Sequence, residues 1–175
     1  IGDNASLAVI GGGGGNSALA DHATVPGGRQ AVARNYAQMA YSSGAFNIPG
    51  DCQTSFFVAK NRTSGAVTRE LFLEMNTSQR MIVPANTTWT FQILVSARSS
   101  AGEAAGYTIT GMIGRAGDIT YAPVYTVTPI YESDAAWNVT VAADDANDAL
   151  VIWVTGNTGD DIRWVASVRT AEVSW

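Results

Sequence analysis

The sequence has a single cysteine, a single histidine and a single lysine, which are Cys52, His22 and Lys60. One cysteine excludes an internal disulfide and a cluster of thiolate metal ligands. One histidine argues against a histidine-based zinc site and against a Ser-His-Asp triad. The residue types on which most common catalytic and cofactor sites depend are therefore scarce, and we expect no cofactor and no bound metal.

Charged residues are also scarce, at 14% of the 175 residues, compared with about 25% in a typical soluble domain. The net charge is −5, whereas proteins that bind nucleic acid need a basic stripe, so we expect no nucleic-acid partner. The apolar residues are spread too evenly to form the run of roughly 18 that a membrane-spanning helix needs, and no membrane insertion is expected. The length fits one domain, or one domain with a small appendage.

The composition changes near Gly50 and divides the chain into two predicted regions, residues 1–50 and residues 51–175. The first contains 10 of the 18 glycines and none of the five tryptophans, whereas the second contains 13 of the 16 aromatic residues. The first region therefore cannot build a large core by itself, while the second can. Because the chain begins with Ile1 rather than Met, we expect a processed start or a fragment of a longer protein.

The first region repeats. Residues 8–13 align with residues 23–28 and more loosely with residues 37–42, at offsets of 15 and then 14. A short period with small residues, one apolar residue per turn and a glycine pair is typical of a β-solenoid coil. The equivalent core positions, which we expect to pack within or between the coils, are Ile10, Val25 and Met39.

About three such coils are present, which is the minimum for a stable repeat array and too few for a monomer to stand alone. We therefore expect association between chains to supply the missing burial. The alternative is a flexible glycine-rich linker, which the glycines at 11–15 would favour if taken alone. The repeated apolar positions argue against the linker.

Residues 23–28 (ATVPGG), followed by small residues and the later segment 35–37 (NYA), resemble the head repeat of trimeric autotransporter adhesins. Many phage tail fibres share that left-handed parallel β-roll. The resemblance covers residues 1–50 and implies a homotrimer in which three chains stack their rolls around a three-fold axis. The third copy departs from the pattern because Tyr41 and Ser42 replace the glycine pair, and we interpret it as a terminal coil.

The second region alternates as strands do. In residues 88–98, one face carries Trp89, Phe91, Ile93, Val95 and Ala97. Similar alternation marks residues 107–113, 137–141, 150–154 and 162–169, and residues 119–131 read as one long strand. Eight or nine strands at this spacing predict an antiparallel, jelly-roll-like β-sandwich. Its core is expected to be built from Trp89, Phe91, Ile93, Val139, Ile152 and Trp164.

This second region resembles the C-terminal domain of phage and prophage tail-fibre-type proteins. The resemblance is carried by residues 50–55 (GDCQTS), 85–91 (ANTTWTF), 147–150 (NDAL) and 162–173 (IRWVASVRTAEV). It implies a place in a virion fibre and names no receptor. Related segments also serve as capsid decorations, so the position on the virion stays open.

Several aromatic residues are candidates for a binding surface, because exposed aromatics stack on sugar rings or fill protein interfaces. The sequence does not choose between these two uses. Trp153 lies opposite in parity to Leu150, Ile152 and Val154 on its strand. The candidates are Tyr121, Tyr125, Tyr131, Trp153 and Trp175.

Acidic residues offer weaker candidates. The cluster Asp144, Asp145 and Asp148 lacks the spacing and closing glutamate of a calcium loop, so a solvated turn is the simpler interpretation. Glycoside cleavage needs two carboxyls placed across a sugar cleft, and the nominees are Glu70 with Glu74, or Glu132 with Asp134. Nothing in the sequence singles out either pair, and we do not expect an enzyme.

The sequence thus predicts a structural and adhesive virion protein of a tailed bacteriophage, a homotrimeric tail fibre or spike-like protein on the outside of the virion. Its expected partner is a host cell-surface glycan or another virion protein. A trimeric capsid decoration, either a cement protein or a head fibre, is the alternative. A small polysaccharide depolymerase is a third hypothesis from a different class.

Overall fold

The computed structural model describes residues 1–3, 5–75 and 78–175. These residues form fifteen β-strands and no helix, which confirms the predicted all-β class. In none of them is there a helix able to cross a membrane. In chain order the strands are β1 (Val9–Ile10), β2 (Ser17–Ala18), β3 (Thr24–Val25), β4 (Val32–Ala33), β5 (Met39–Tyr41), β6 (Cys52–Ser64), β7 (Thr68–Glu70), β8 (Met81–Ile82), β9 (Thr87–Ser99), β10 (Ala104–Ala116), β11 (Ile119–Thr120), β12 (Val124–Glu132), β13 (Asn138–Asp144), β14 (Ala149–Thr155) and β15 (Asp161–Ser174).

Residues 1–50, which we call the coil region, stack short strands in parallel. Strands β1, β3 and β5 lie side by side, and β2 pairs with β4. Val9 pairs with Thr24, and Thr24 pairs with Met39, so each step along the stack advances the chain by 15 residues. In a parallel stack of this kind, each coil buries its apolar residues against the next coil.

The backbone repeats at the same step. Leu7, His22 and Ala37 all adopt the left-handed conformation, with φ angles of 55°, 58° and 50°. The His22 N–H donates to the Ser6 carbonyl at 2.9 Å, and the Ala37 N–H donates to the Asp21 carbonyl at 2.9 Å. The repeating unit is therefore a 15-residue coil with the same turn in each copy.

At strand β5 this step corrects the predicted offset of 14 between the second and third copies, whereas at the following turn Arg29 pairs with Ser43, at an offset of 14. With 15 residues per coil, Met39 pairs with Thr24, and Ala40 is the residue that follows Val25 in the stack. Ala40 is fully buried, whereas Met39 is 38% exposed. Because successive residues of a strand face opposite sides, an error of one residue exchanges the buried position for the exposed one.

The core of the coil region is small. Val25 is fully buried, and Ile10 is half-buried against the same cluster. The coils approach so closely that a Cβ atom on Gly28, at a φ of +87°, would lie 2.3 Å from the Ser42 carbonyl oxygen. Small residues thus allow tight stacking but provide little apolar area. The buried members are Ala18, Ala23, Val25, Ala31, Ala33 and Ala40.

Residues 51–175 form two antiparallel sheets that face one hydrophobic core, and we call them the sandwich. The larger sheet has the order β6-β15-β9-β10, and both β11 and β12 pair with β10. The smaller sheet joins β13 to β14, and β7 and β8 also pair with β14. The six predicted core residues are buried as expected: Trp89, Phe91, Ile93, Val139, Ile152 and Trp164.

The strand order of the sandwich contains a meander. β9, β10 and β12 lie side by side in the order in which they occur in the chain, with the two-residue β11 between β10 and β12 in sequence, while β15 lies between β6 and β9. The single strand predicted for residues 119–131 is two strands on the same partner, β11 and β12, with Pro123 between them. Proline cannot donate a backbone hydrogen bond to the sheet, which accounts for the interruption.

The coil region and the sandwich share one sheet, because β5 pairs antiparallel with β6, with Met39 opposite Phe56. Buried polar side chains add further connections. The Asn35 side chain accepts from the Ile82 N–H at 3.1 Å and donates to the Ile82 carbonyl at 3.2 Å. The Gln38 amide donates to the Ser55 hydroxyl at 2.7 Å. The coils are therefore attached to the sandwich by backbone pairing and by side-chain hydrogen bonds.

Candidate functional site

An open groove of about 910 Å³ lies between the C-terminal half of β6 and strand β7. We call it the Trp153 groove. It brings together one candidate aromatic residue, Trp153, and one candidate carboxylate, Glu70. Its lining consists of Asn61, Arg62, Ser64, Thr68, Arg69, Glu70, Phe72, Met75 and Trp153.

Trp153 reaches the groove because of the alternation along β14. Its neighbours Ile152 and Val154 are fully buried in the sandwich core, so the Trp153 side chain lies on the opposite face, as the sequence pattern predicts. Glu70 of β7 is its cross-strand partner, and Arg69 pairs with Val154. The groove is therefore built on paired strands, which hold its side chains more firmly than loops would.

Glu70 is held in an ion pair at the base of the groove. The Arg80 Nε and one Arg80 terminal nitrogen donate to its two carboxylate oxygens at 2.7 and 3.0 Å. The Arg80 Nε also lies 3.4 Å from an oxygen of Asp144. Hydrogen bonding to Glu70 raises the pKa of Arg80 above its usual range. The Glu70 carboxylate is thus committed to a bidentate contact, which fixes the base of the groove.

Two aromatic rings line the groove. The Arg80 guanidinium covers one face of Phe72, at 5.1 Å from the ring centroid. Trp153 is half-buried and offers indole surface to the groove. Ser64 adds a hydroxyl to the lining, whereas the Asn61 amide donates to the Glu70 carbonyl at 2.7 Å and so helps to hold β6 against β7. Aromatic faces next to hydrogen-bonding groups can bind a sugar ring by stacking on its apolar side and pairing with its hydroxyls.

The groove carries an excess of positive charge although the chain as a whole has a net charge of −5. Arg62 contacts Asp161 at 2.6 Å and remains 56% exposed. Arg69 is exposed and has no hydrogen-bond or ion-pair partner among the described residues. Since Arg80 neutralises Glu70 and Asp161 neutralises Arg62, the Arg69 guanidinium supplies the excess positive charge and favours an anionic or polar ligand.

The other candidate aromatics do not converge on this groove. Tyr121 and Tyr131 are 53% and 61% exposed, and both lie by the edge of the larger sheet formed by β11 and β12. Tyr125 is partly buried against the sandwich core. Among the tyrosines, the structure therefore assigns a packing contact to Tyr125 and leaves the other two on the surface.

Trp175 belongs to a separate apolar surface. Together with Phe46, Ile48 and Val173 it lines a cleft of about 640 Å³. These four side chains are all among the exposed large hydrophobic residues, and Trp175 is fully exposed. The cleft lies at the C-terminal end of β15, and Arg62 pairs with Arg163 near the other end of that strand, roughly 33 Å from Val173.

The remaining acidic candidates hold turns in place. Asp145 accepts from the Thr120 N–H at 2.6 Å, and Asp148 pairs with Arg115 at 2.9 Å. Asp134 accepts from the Ala136 N–H and from the Asn157 amide. No group of three or more His, Cys, Asp or Glu side chains placed to hold a metal occurs in residues 1–3, 5–75 and 78–175.

Sequence reasoning did not nominate Arg62, Arg69 or Phe72 as parts of a site. The strand formed by Thr68–Glu70 has only three residues, too few for its alternation to be recognised. Without that strand, nothing places Arg69 and Glu70 beside Trp153, which lies more than 80 positions later in the chain. The groove is a product of pairing between segments distant in sequence.

No protein-family model matches the chain, and no curated protein matches it. Among solved structures, the chain is similar to the tailspike protein of Acinetobacter phage vB_ApiP_P1, with 11% sequence identity and a TM-score of 0.28. The similarity covers 98% of this chain and 40% of the tailspike chain, so this chain spans less than half of that protein's length. A similarity of this degree supports no assignment of function.

Proposed function

We propose that the chain is a structural and adhesive protein of a tailed-phage virion, homotrimeric through its coil region, which binds a host surface glycan in the Trp153 groove. The observation that carries the proposal is the combination of two parts in one continuous sheet. Parallel 15-residue coils with a core of five alanines and one valine are joined to a sandwich with an open, aromatic-lined groove.

The small core of the coils supports the trimer. Fully burying an Ala side chain gains far less than burying a Leu or Phe, so six small residues contribute little to folding. Large apolar side chains on the outside of the same coils remain exposed in the single chain, and contact with other copies would cover them. They are Leu7, Val9, Leu19, Met39 and Tyr41, exposed by 78%, 53%, 49%, 38% and 48%.

In this proposal the coil region is a short left-handed β-roll, and the sandwich is jelly-roll-like. The parallel 15-residue step supports the roll. The pairing of the first sandwich strand, β6, with the last, β15, and of β15 with β9 supports the jelly-roll comparison. The meander of β9, β10 and β12 departs from it.

The proposed role of the groove is binding without catalysis. Glu70 is engaged by Arg80 on both oxygens, and Arg80 also contacts Asp144. A general acid needs a proton to give, and a paired carboxylate at the base of a groove is poorly placed to carry one. Trp153, the Ser64 hydroxyl and the exposed Arg69 guanidinium serve recognition in this proposal.

A capsid decoration protein is the second candidate function. The apolar cleft of Phe46, Ile48, Val173 and Trp175 favours it, because a cluster of exposed apolar side chains fits attachment to another virion protein better than binding of a sugar. In this alternative the chain would be attached to the capsid through that cleft, and the Trp153 groove would face outwards.

Labelling of virions with an antibody against this chain, followed by electron microscopy, distinguishes tail from capsid. The proposal expects label on the tail, whereas the second candidate expects it on the capsid, and both expect a solution mass of about 55 kDa, three times the 18.3 kDa of one chain. A monomer at micromolar concentration would contradict the role of the coils.

Binding of the purified protein to host cells tests the groove. Trp153→Ala is expected to reduce binding at least about tenfold, while Trp175→Ala leaves it unchanged. The two variants remove the same side chain from different surfaces. Equal losses in both, or a loss only in Trp175→Ala, would move the binding site away from the groove.

A further inference from the structure

Three arginines lie side by side on neighbouring strands of the larger sheet. Arg163 of β15 is directly opposite Arg62 of β6 on one side and directly opposite Arg98 of β9 on the other. All three side chains are exposed on the outer face of the sandwich. Adjacent strands are about 4.8 Å apart, so the three Cα atoms span about 10 Å. We call this set the arginine row.

The arginine row is unfavourable for folding unless something else binds to it. Like charges directly opposite each other on neighbouring strands destabilise a sheet. Arg62 has a compensating partner in Asp161, at 2.6 Å. Arg98 and Arg163 have no hydrogen-bond or ion-pair partner among the described residues. The row therefore holds more guanidinium groups than the neighbouring acid can neutralise.

The positive charge extends over the outer face of the larger sheet. Five of the ten Lys and Arg residues of the chain have exposed side chains on this face, and Asp161 is the one acidic residue that the described strands of the sheet place there. A chain with a net charge of −5 thus concentrates half of its cations on one surface. They are Lys60, Arg62, Arg98, Arg163 and Arg169.

The row also has a pocket. A cavity of about 400 Å³ is lined by the three arginines together with Ser99, Ser100 and Asp161. Arg62 lines both this pocket and the Trp153 groove, so the two adjoin each other. A ligand that extends from the groove would therefore meet a row of planar guanidinium forks, which bind carboxylates with paired hydrogen bonds.

We propose that the arginine row and the Trp153 groove form one continuous site for an acidic polysaccharide, a sugar polymer that carries carboxylate groups. This inference rests on the proposed glycan-binding function and gives the chemical class of the glycan. The sugar rings stack on Trp153, and successive carboxylates pair with Arg62, Arg163 and Arg98. Such a ligand neutralises the row and uses the aromatic groove at the same time.

A nucleic acid fits this surface less well. Duplex DNA carries one charge per about 1.7 Å and requires a long basic stripe, whereas the arginine row covers about 10 Å of an acidic protein. Stacked bases would need several aromatic residues along the strand. The described lining of the row's own pocket contains none. Single-stranded DNA therefore serves as a competing ligand in the test.

The experiment measures binding of the full chain to immobilised polygalacturonate, to hyaluronan and to neutral dextran of matched length. The first two polymers carry one carboxylate per sugar and one per two sugars. Wild-type protein is expected to bind at least one acidic polymer, with an affinity that falls as the salt concentration rises. It is not expected to bind dextran. Arg163→Ser is expected to weaken this binding about tenfold or more. Arg169→Ser, on the same strand and face but outside the row, is the control and should change it less than about twofold.

The variant Arg163→Glu shows whether a loss of polymer binding is independent of a loss of folding. A carboxylate between two guanidinium groups relieves the like-charge contacts, so this variant is expected to melt at a higher temperature than wild type. It is also expected to lose its binding of the acidic polymers. Circular dichroism and melting curves verify the fold of each variant, and Arg98→Gln repeats the test at the other end of the row.

Several results would overturn the inference. The first is that neither acidic polymer binds. The second is that Arg163→Ser and Arg169→Ser lose polymer binding equally. The third is that single-stranded DNA competes with equal affinity. A change of oligomeric state in Arg163→Ser with polymer binding intact would make the row a contact between subunits.

If host binding depends on Trp153 while neither acidic polymer binds, the arginine row is rejected and the proposed function stands. If the chain binds acidic polymers but is absent from virions, the proposed function fails instead.

Discussion

The side-chain amide of Gln53 pairs with both backbone groups of Val32, accepting from its N–H at 2.9 Å and donating to its carbonyl at 3.0 Å. The contact joins the first strand of the sandwich to a coil and imitates the pairing of two strands. The same Gln53 nitrogen lies 2.9 Å from a carboxylate oxygen of Glu172, which is buried on β15. A single side chain thus connects the coil region with the two sandwich strands β6 and β15.

Gln53→Met is expected to destabilise the protein by about 2–4 kcal/mol, because it preserves the length of the side chain but leaves two buried backbone groups of Val32 without partners. Gln92→Met is the matched control, since Gln92 is exposed on β9. Urea unfolding at neutral pH measures both. Similar midpoints for the two variants would show that the Gln53 pairing adds nothing to stability.

Glu172 predicts a specific dependence on pH. Burial is the largest effect and raises the pKa of its carboxyl, while hydrogen bonds from Ser55, Thr170 and Gln53 and the positive charge of Arg34 oppose the shift. A raised pKa in the folded state gives stability that is fully present below the unfolded pKa, near 4.5, and is lost as pH rises through the folded value.

Glu172→Gln removes this titration and is therefore expected to be more stable than wild type at pH 7, with the difference shrinking as pH falls towards 4. Thermal melts over this range measure the difference. Asp118→Asn, at a side chain exposed by 106%, is the control and should shift the melting temperature little at any pH. A variant less stable than wild type at pH 7 would mean that the hydrogen bonds of the carboxylate outweigh its burial.

Adjacent glycines in the second coil test how tightly the coils stack. A Cβ atom on Gly28 would lie 2.3 Å from the Ser42 carbonyl oxygen at a φ of +87°, whereas a Cβ on Gly27 would have nothing within 4 Å. Gly28→Ala is therefore expected to cost several kcal/mol, and Gly27→Ala less than about 0.5 kcal/mol. Calorimetry of both proteins is the measurement. If Gly28→Ala is tolerated as well as Gly27→Ala, neighbouring coils are not in close contact at that turn.

Alternation within one strand could be read from the sequence, and contacts between strands could not. The pattern around Trp89 predicts its buried face correctly because a strand with one face in the core needs apolar residues at every second position. The same reasoning places Trp153 outside the core. At strand β5 the sequence alignment of the third copy is wrong by one residue, because Met39 resembles Val25 more closely than Ala40 does, and this shift exchanges the buried and exposed positions.

The arginine row lay beyond sequence reasoning for a different reason. Arg62, Arg98 and Arg163 each fall at an exposed position of a strand, which the alternation makes visible. Their meeting depends on the order β6-β15-β9 and on its register, set by strands separated by tens of residues. Nothing local encodes that register, because it results from the packing of the whole core.

Val25→Asp tests how the coil region and the sandwich cooperate. Val25 is fully buried among alanines, and an unpaired charge at that position costs several kcal/mol or forces the coil to open. The sandwich has a separate core that includes Trp89, Ile152 and Trp164, so its strands are expected to persist while the coils unfold. In the proposed trimer the substitution occurs three times, and the assembly should dissociate at a much lower temperature than wild type.

Pro26→Asp, at the exposed neighbouring position, is the control. Light scattering measures assembly, and far-ultraviolet circular dichroism measures strand content. If strand content falls together with assembly, the shared sheet between β5 and β6 makes the two regions one cooperative unit. If neither changes, the coil core does not contribute to association.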